Sequence, residues 1–488
     1  MMSPFQRPFV TTAALVVVLA GCGGEELQYT PEDGTLAEQL AGARSGMTIV
    51  LTRDLYEGNF IVPAGVTIEG NGAVIVGERC APVLRVEGGS AEAPTRLVNV
   101  RVENDGIGVV AQGDGELELE EVEIEVSSYG GVLIDGLDRV SFDRVSVIGA
   151  LTEENASALG SINGFSLDAA AYPVVGALLW RVADVQMTDV DLKGFGGYGA
   201  VFHRSAGSWR GGGVSRWIGA AILVEESDVS LDGVRVQGSI RVPNLRLTSS
   251  GVAVTRGGKL VSRGLEVADV AGYGLIMDDA QSAHDDLLIR DNERGGVWVQ
   301  NAFPEDAPAL TIHGDSWIVG NRGLGLYMRD FEGLDFDGLT IADTTPRDQL
   351  VGELGVVTMG DGVQMVGASG RLWMSDTRLV GHPRVGWVFD GTHAGLAAPV
   401  SFEGALAIDV GDLDAPEQAY GFIMQNMEGS FPDALIERGG FAEQDARARE
   451  DGVTLQVLMG SGDGPEQEPG VQLEDVFPPD EAVRFACP

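Results

Sequence analysis

The chain has 488 residues, of which 44% are hydrophobic and 70 are glycine, and its formal net charge at pH 7 is −41. A chain of this length and apolar content can bury a large core, which argues against disorder throughout. The acidic balance argues against nucleic acid as a partner, because phosphates bind to a basic face, and less strongly against a densely anionic glycan.

The first 22 residues have the organisation of an export signal. Arg7 precedes an apolar run, residues 13–20, which is too short to span a bilayer and leads into Leu19-Ala-Gly-Cys22. This ending resembles the lipobox of bacterial lipoproteins, and the resemblance implies that Cys22 carries the lipid and becomes the mature N-terminus. Because Gly23 rather than Asp follows, the pattern implies export to the outer membrane; an ordinary cleaved signal peptide is the alternative. Residues 23–34 would then be a polar tether.

A short amphipathic helix is predicted just before the first strand. Thr35 and Glu38 have the spacing of a capping box, Leu36 and Leu40 share one face, and Gly46 is expected to stop the helix. A helix in this position resembles the N-terminal cap of right-handed parallel β-helices, where it covers the open end of the solenoid.

Most of the remaining chain repeats every 20–25 residues or so. One half of the repeat alternates apolar and polar residues on both sides of a polar pair, as at Leu117, Leu119, Val122 and Ile124, which predicts two short strands bent around a corner. The other half is a glycine followed by apolar residues, as in Gly296-Val-Trp-Val299. A β repeat of this length indicates a solenoid, since a propeller blade needs about 40 residues.

We therefore predict an all-β fold, a right-handed parallel β-helix that with its capping helix spans residues 35–427. An irregular C-terminal tail is predicted for residues 428–488. The stretch from about 46 to 427 resembles the pectate-lyase-like superfamily, and the likeness is specific for the fold and weak for the function.

Two insertions, residues 151–175 and 344–353, interrupt the repeat. Loops that leave a solenoid often cluster on a binding face, and a tolerated surface insertion is the alternative. Asn292 and Asn321 occupy matching turn positions. They are expected either to stack as amides that bond from coil to coil or simply to serve as left-handed turn residues.

No complete enzyme signature of that superfamily is present. The sequence lacks an Arg-x-Lys motif, a Tyr-Gly-x-Asp-Pro-His motif and the glycine-rich calcium nonapeptide, and its histidines have no zinc spacing. No cofactor is therefore expected; acidic residues are so numerous that they neither establish nor exclude Ca²⁺. The histidines are expected at the surface or in turns: His203, His284, His313, His382 and His393.

The glycine-led strands often end in a charged or amide residue, and coils stacked about 4.8 Å apart would place these residues in a column. Two carboxylates about 5–9 Å apart suit acid/base chemistry on sugars. Asp278, Arg329 and Asp330 are the candidates for a polar catalytic cleft, and the alternative is that they turn the chain and face water. The expected column contains Asp135, His203, Glu225, Asp278, Gln300, Asp330, Asp390 and Gln425.

Strand parity predicts an apolar stripe on the outer side of the glycine-led strands. The two valines of Gly296–Val299 point inward, so Trp298 points outward, and Tyr327 does the same one coil later. These two rings are the candidate platform for a sugar. Cover by the protein's own chain is the favoured alternative, because an exposed apolar stripe needs a partner.

Two cysteines remain after lipidation of Cys22, and in an oxidising envelope a disulfide is their ordinary outcome. About fifteen stacked coils would place the solenoid ends on the order of 70 Å apart, whereas a disulfide requires Cα atoms within about 7 Å. A bridge between Cys80 and Cys487 therefore requires the tail after Gly429 to run back along the solenoid, where it could cover the apolar stripe.

Two functions of different class remain, with a purely structural spacer as a third alternative. The first is a lipid-anchored protein of the bacterial cell envelope, at the outer membrane, whose β-helix binds a glycan or a surface protein without catalysis. The second is a polysaccharide-active enzyme, namely a lyase, a glycoside hydrolase or an epimerase. The missing catalytic signatures favour the first. The sequence leaves the ligand and the oligomeric state open.

Overall fold

The computed structural model describes residues 35–78, 81–152, 154, 173–241, 249–350, 356–390, 401–409 and 420–425. Within them the chain winds into a right-handed parallel β-helix, as predicted, and each strand pairs in parallel with strands of the preceding and following coils. Each complete coil contributes to three sheets. Within the described residues, no helix is long and apolar enough to cross a membrane.

The first sheet is made of the glycine-led strands. Their register sets residues at equal positions of successive coils side by side, as with Phe202 and Val224. The strands confined to this sheet are β3 (Phe60–Val62), β5 (Leu84–Val86), β7 (Ile107–Gln112), β10 (Tyr129–Asp135), β13 (Pro173–Trp180), β15 (Tyr198–His203), β17 (Ala220–Glu225), β20 (Ser250–Thr255), β23 (Tyr273–Asp278), β26 (Gly295–Ala302), β34 (Val385–Asp390) and β36 (Tyr420–Gln425).

The corner motifs form the second and third sheets. Strands confined to the second sheet are β1 (Thr48–Val50), β8 (Glu116–Glu120), β11 (Arg139–Asp143), β18 (Asp228–Asp232), β21 (Lys259–Arg263), β24 (Gln281–Asp285) and β27 (Leu310–His313). Strands confined to the third sheet are β2 (Leu55–Glu57), β9 (Glu123–Val126), β12 (Ser146–Gly149), β19 (Arg235–Gln237), β22 (Glu266–Ala268), β25 (Leu288–Arg290), β28 (Ser316–Val319) and β30 (Leu339–Ala342). The prediction of two short strands at each corner is therefore confirmed.

Some strands turn a corner without interruption and serve more than one sheet. In one of them the bend falls at Asp189, whose φ of 50° is left-handed, a conformation that Asp tolerates better than most residues. These continuous strands are β4 (Thr67–Val76), β6 (Thr95–Asn104), β14 (Asp184–Phe195), β16 (Ala206–Trp217), β29 (Leu324–Asp337), β33 (Asp361–Val380) and β35 (Ser401–Asp409).

The core is an apolar column enclosed by the three sheets. Alternate residues of each strand point into it, and Leu117, Leu119, Val122 and Ile124 are all fully buried there. Because every coil adds the same few inward side chains, the column extends from the helical cap to the coil of Phe389.

The predicted stacking of Asn292 and Asn321 is confirmed. Both are fully buried, and Asn292 Nδ2 donates to Asn321 Oδ1 at 2.8 Å. Asn321 Oδ1 also accepts from the Asn292 backbone N–H at 3.1 Å, and Asn292 Oδ1 accepts from the backbone N–H of Val270 at 3.0 Å. The amides therefore satisfy backbone donors at one corner of three successive coils.

The capping helix is present and begins where predicted, but it ends earlier than expected and lacks the predicted capping box. Helix α1 (Leu36–Gly42) buries Leu36 and Leu40 against the first coil. Thr35 is the N-cap residue, yet its side chain forms no capping hydrogen bond, so the capping box is absent. The helix stops at Gly42 because the next residue, Ala43, is extended, with ψ at 151°.

The second insertion is a hairpin. Strands β31 (Arg347–Leu350) and β32 (Val356–Met359) pair antiparallel beside the parallel coils. Most of the first insertion lies outside the described residues, and the first sheet resumes at Pro173, three residues before the expected return at Gly176. The tail 428–488 and three cysteines, Cys22, Cys80 and Cys487, also lie outside the described residues, so lipidation and the disulfide stay predictions.

Candidate functional site

A row of side chains lies where the first-sheet strands end, as predicted from the coil spacing. Register sets His203 beside Glu225 and Asp278 beside Gln300. In coil order the row comprises Gln112, Asp135, Trp180, His203, Glu225, Thr255, Asp278, Gln300, Arg329, Val366, Asp390 and, by register, Gln425. We refer to it as the strand-end row. The prediction is wrong at one position, because Arg329 rather than Asp330 occupies the row.

The residue after each of seven row members turns the chain in a left-handed conformation. A β-carbon makes this conformation costly, so surrounding contacts must hold it. Their φ angles lie between 47° and 54°, and the residues are Arg181, Arg204, Glu226, Arg256, Asp279, Asn301 and Asp330. We refer to them as the turn row. The turn row directs charged and amide side chains towards the ends of neighbouring coils.

Acids of the strand-end row accept hydrogen bonds from the turn row of the next coil. Arg181 Nη2 lies 2.7 Å from Oδ1 and 2.9 Å from Oδ2 of Asp135. Asn301 Nδ2 donates to Asp278 Oδ1 at 2.9 Å. Charge-assisted and bidentate bonds of this kind are stronger than neutral ones, so the two rows hold one another in place.

The most tightly connected part of these rows is centred on a buried histidine–carboxylate pair. His203 Nδ1 lies 2.9 Å from Glu225 Oε2, and the two side chains are only 3% and 7% exposed. The other carboxylate oxygen of Glu225 lies 3.0 Å from Arg256 Nη1. On the opposite side, the imidazole stacks on the Trp180 ring with centroids 3.8 Å apart. Contacts on both sides therefore fix the orientation of the imidazole.

Two buried serines hold the turns that carry this cluster. Ser205 Oγ accepts from the Val182 backbone N–H at 3.0 Å and donates to the Leu179 carbonyl at 2.9 Å. One coil later, Ser227 Oγ accepts from the Ser205 N–H at 2.9 Å and donates to the Glu225 carbonyl at 2.7 Å. The serines thus satisfy backbone groups that the left-handed turns would otherwise leave unpaired inside the corner.

Beside the histidine–carboxylate pair, an open depression of about 580 Å³ crosses four successive turns between the first and second sheets. Its charged side chains are three cations and two acids, a net positive charge in a chain whose total is −41. We refer to it as the turn depression. It is lined by Val182, Ala183, Arg204, Ser205, Ala206, Glu226, Ser227, Asp228, Arg256, Gly257 and Lys259.

The electrostatic field in the turn depression favours negative charge. Arg204 Nε lies 2.7 Å from Glu226 Oε2, and this hydrogen bond is the main reason that the pKa of the Glu226 carboxyl is lowered. Slight burial opposes the shift, and the charge of Arg256 adds to it. Within the described residues, the exposed Lys259 ammonium forms no ion pair, although Asp228 stands opposite it on the neighbouring strand. The lysine is therefore available to an anionic group of a ligand.

The predicted catalytic residues do not occupy one position along the solenoid. Asp278 and Arg329 both belong to the strand-end row, but the coil of Gln300 separates them, which corresponds to about 10 Å at about 4.8 Å per coil. Asp330 lies in the turn row, with Arg329 Nε 3.2 Å from its Oδ2. The structure thus brings Arg329 to Asp330 and places Asp278 two coils before them.

The predicted aromatic platform exists as a stack, but it is buried. The rings of Trp298 and Tyr327 lie parallel within 25° with centroids 4.1 Å apart, and the residues are 2% and 0% exposed. Tyr273, Leu324 and Met359, the last from β32 of the hairpin, belong to the same apolar cluster. The expectation of an open platform for a sugar is therefore wrong at these two residues, and the alternative of cover by the chain holds.

The apolar stripe continues along the outer side of the first sheet towards the N-terminus. There Leu133, Leu178, Val201 and Leu223 form a second buried cluster, separate from the core column. These residues therefore face the side that strand parity predicts, and their burial shows that outward-pointing residues of this sheet need not be exposed.

The expectation for the histidines is wrong for His203 and His284, which lie in strands, whereas His382 lies between two strands, as expected of a turn. His203, His284 and His382 are buried, whereas His313 lies at the surface beside Asp335, with Nε2 3.0 Å from the carboxylate. His393 lies outside the described residues. In the part of the chain that the structure describes, no group of three histidine, cysteine or acidic side chains is arranged to hold a metal ion.

The turn depression was not predicted as a site, although its parts were visible in the sequence. His203 and Glu225 stand at the same offset in consecutive glycine- or alanine-led strands, 22 residues apart. Arg204 and Arg256 each stand one position after the end of such a strand, so they occupy equivalent positions in their coils. The sequence instead favoured the coils of Trp298 and Tyr327, because two outward aromatic rings on successive coils are typical of a surface that binds a sugar.

No protein-family model matches this sequence, and no curated protein is similar to it at a significant level. Among solved structures, a periplasmic alginate epimerase aligns with a TM-score of 0.37 and 9% identity, covering 71% of this chain and 78% of that one. The A-module of an Azotobacter vinelandii mannuronan C-5 epimerase gives 0.29 and 12%, with 80% and 94% covered. A tailspike protein of bacteriophage CBA120 gives 0.26 and 13%, with 81% and 58% covered. At such scores the likeness carries no argument about activity.

Proposed function

We propose that this protein is a lipid-anchored β-helix of the bacterial cell envelope that binds a glycan in the turn depression without transforming it. The single observation that carries the proposal is the positively charged, open depression formed by Arg204, Arg256 and Lys259 in a strongly acidic chain. The lipobox at Cys22 supports the location.

The shape and charge of the depression indicate a particular kind of glycan. An open groove across several coils suits an extended chain, and the three cations suit a carboxylate or sulfate on one of its sugars. A densely charged polyanion is disfavoured, because the net charge of −41 repels it over the rest of the surface. The proposed ligand is therefore an oligosaccharide with isolated acidic groups among neutral sugars.

Binding without catalysis is supported by the way the charged groups are engaged. Glu225 is held between His203 and Arg256, and Glu226 by Arg204. These two carboxylates, which lie nearest to the imidazole, each already have a cationic or imidazole partner from the protein. Such pairs preorganise a surface, and a bound carboxylate can approach the arginines from the open side.

The test uses the only two lysines of the chain. The purified full-length protein is titrated with oligosaccharides that contain one uronic acid among neutral sugars, with the neutral analogue and with a polyuronate. Lys259→Glu should weaken binding of the mixed oligosaccharide several-fold, because it reverses a charge in the depression. Lys193→Glu, an exposed control on the third-sheet end of β14, should leave it unchanged. Equal affinity of both variants and the parent protein would contradict the proposed site.

One observation favours a second candidate, a polysaccharide-active enzyme. The 2.9 Å contact of His203 with Glu225 is the arrangement in which a carboxylate orients an imidazole as a general base. An enzyme of this kind should lose turnover in His203→Gln while retaining its fold and its affinity for the glycan. Retained turnover in that variant would exclude the imidazole as the base.

A further inference from the structure

The first coil of the solenoid exposes more apolar surface than any other described part of the chain. Seven large hydrophobic residues of the described chain are exposed, and four of them lie between positions 47 and 61. Met47, Val50, Leu55 and Ile61 are 46%, 48%, 50% and 58% exposed. We refer to these four residues as the apolar collar.

The collar encircles one end of the solenoid instead of running along a face. Val50 is in the second sheet, Leu55 in the third and Ile61 in the first, so the collar residues point outward in three directions. All belong to a single coil, which is about 5 Å thick along the solenoid axis. An apolar surface of this shape fits a partner that meets the end of the molecule.

The apolar character stops one or two coils later. In the register, Val50 is followed by Glu69 and Ile61 by Arg85. Leu55 is followed by Val74, and then by Arg101. At these three positions the outward residue is charged within two coils of the first, which limits the collar to a band at the N-terminal rim.

The chain that precedes the collar indicates what covers it. The described structure begins at Thr35, immediately before α1, which itself caps the first coil. Cys22, the proposed lipid-bearing residue, lies 13 positions earlier. Thirteen residues span at most about 45 Å even when fully extended, so the lipid would keep the first coil near the membrane.

The charge of the first coil permits that approach. Residues 44–62 contain Arg44 and Arg53 against Asp54 and Glu57, so their formal charges cancel. A chain with a net charge of −41 is repelled elsewhere by anionic headgroups, but the collar itself is not. The thickness of one coil also matches the depth of about 5–10 Å at which apolar side chains lie in a bilayer interface.

We propose that the apolar collar rests in the lipid interface and sets the solenoid end-on to the membrane. This inference rests on the lipid anchor of the proposed function. The lipid supplies attachment, and the collar supplies orientation, so that the turn depression faces sideways at several coils' distance from the bilayer. The partner is a lipid surface, and a second copy of the chain is the competing occupant.

Photo-crosslinking in the intact, lipidated protein tests the collar. Benzoylphenylalanine is introduced as Leu55→benzoylphenylalanine and Ile61→benzoylphenylalanine, in cells whose phospholipids carry radioactive phosphate, a label that the diacylglycerol on Cys22 does not contain. Palmitate labelling of a parallel culture reports the lipid on Cys22. Val261 and Phe303, which are 57% and 43% exposed on later coils, are the control positions. Illumination should give labelled lipid adducts at positions 55 and 61 and at least tenfold less label at positions 261 and 303.

Three results would overturn the inference. Membrane-bound protein without lipid adducts at positions 55 and 61 would show that the anchor holds and the collar is not in lipid. A crosslinked species of twice the chain mass at these positions would assign the collar to a second copy. Absence of the protein from the membrane fraction, with no lipid label on Cys22, would overturn the anchor and the collar together.

Discussion

Two stretches of the first sheet, the coils around His203 and those around Trp298, use the same strand geometry in different ways. Around Trp298 the outward aromatics stack with Tyr327 and are closed over by a cluster that includes Met359 of the hairpin. Around His203 the strand ends hold charged pairs beside an open depression. The aromatic stretch forms a buried apolar cluster outside the solenoid core, whereas the charged stretch is accessible to solvent at its turns.

The difference shows that strand parity predicts direction and not exposure. A residue can point away from the solenoid core and still be buried when an insertion packs over it. The hairpin arises from the insertion after Thr344 and changes Trp298 from a candidate ligand platform into a stabilising residue. The depression is the better candidate site because its charged groups remain near solvent.

The largest expected effect distinguishes a core role from a surface role for Trp298. Trp298→Ala should lower the free energy of unfolding by about 3–5 kcal/mol, since it removes a buried, stacked ring. Trp317→Ala is the matched control, because Trp317 is 40% exposed, and it should change stability by less than about 0.5 kcal/mol. Chemical denaturation monitored by circular dichroism measures both. Equal effects of the two substitutions would mean that the aromatic stack is open.

The second prediction concerns the charged pairs of the other stretch. Glu225→Gln removes the charge that His203 and Arg256 share, and it should cost about 1.5–3 kcal/mol of stability. Glu226→Gln is the control, because its pair with Arg204 is more exposed and should contribute no more than about 1 kcal/mol. Denaturant titration at one pH compares them. A larger loss in Glu226→Gln would reverse the assignment of the buried and exposed pairs.

The third prediction compares the buried histidines. His203 has a carboxylate partner, whereas His284 is hydrogen bonded to the hydroxyls of Ser262 and Ser282, and burial lowers its pKa from 6.5 to about 3. The unfolded chain therefore binds this proton more readily than the folded chain. The resulting stabilisation is complete above about pH 6.5 and falls on acidification, by on the order of 2 kcal/mol at pH 5.

Unfolding free energies measured between pH 7.5 and 5 test this sign. His284→Gln should be less stable than the parent protein at pH 7.5, and its stability should fall less steeply as the pH decreases. An identical slope in both proteins would show that His284 binds a proton as readily in the folded chain as in the unfolded chain. The measurement thereby isolates the effect of burial at His284, whose partners are hydroxyl groups, whereas the partner of His203 is a carboxylate.

Much of the fold was predictable because each coil repeats a local rule. The alternation at Leu117 to Ile124 defines a corner, and the matching positions of Asn292 and Asn321 define a stack of amides. Both features depend on residues separated by one coil, so a fixed period suffices to place them. The details of α1 were less predictable, because Thr35 has the right residue type for a cap but its hydroxyl makes no capping bond.

The site was harder to predict because it depends on contacts that do not repeat. Asp278 was placed in the right row, but Arg329 rather than Asp330 shares it, the coil of Gln300 separates the two, and Asp330 belongs to the turns. The turn depression arises where arginines follow three of four adjacent strand ends, and a lysine begins the strand after the last of them. Only the register shows that these cations meet beside a buried histidine–carboxylate pair.

The most direct test of binding without transformation is to examine the glycan after it has bound. The full-length protein is incubated at micromolar concentration with the mixed oligosaccharide used in the titration, and the sugar is followed by NMR over a day and then recovered. The account predicts saturable line broadening that Lys259→Glu weakens, and a recovered oligosaccharide of unchanged length, unsaturation and configuration. New reducing ends, a double bond or an inverted carbon would contradict it and assign the protein to the polysaccharide-active enzymes.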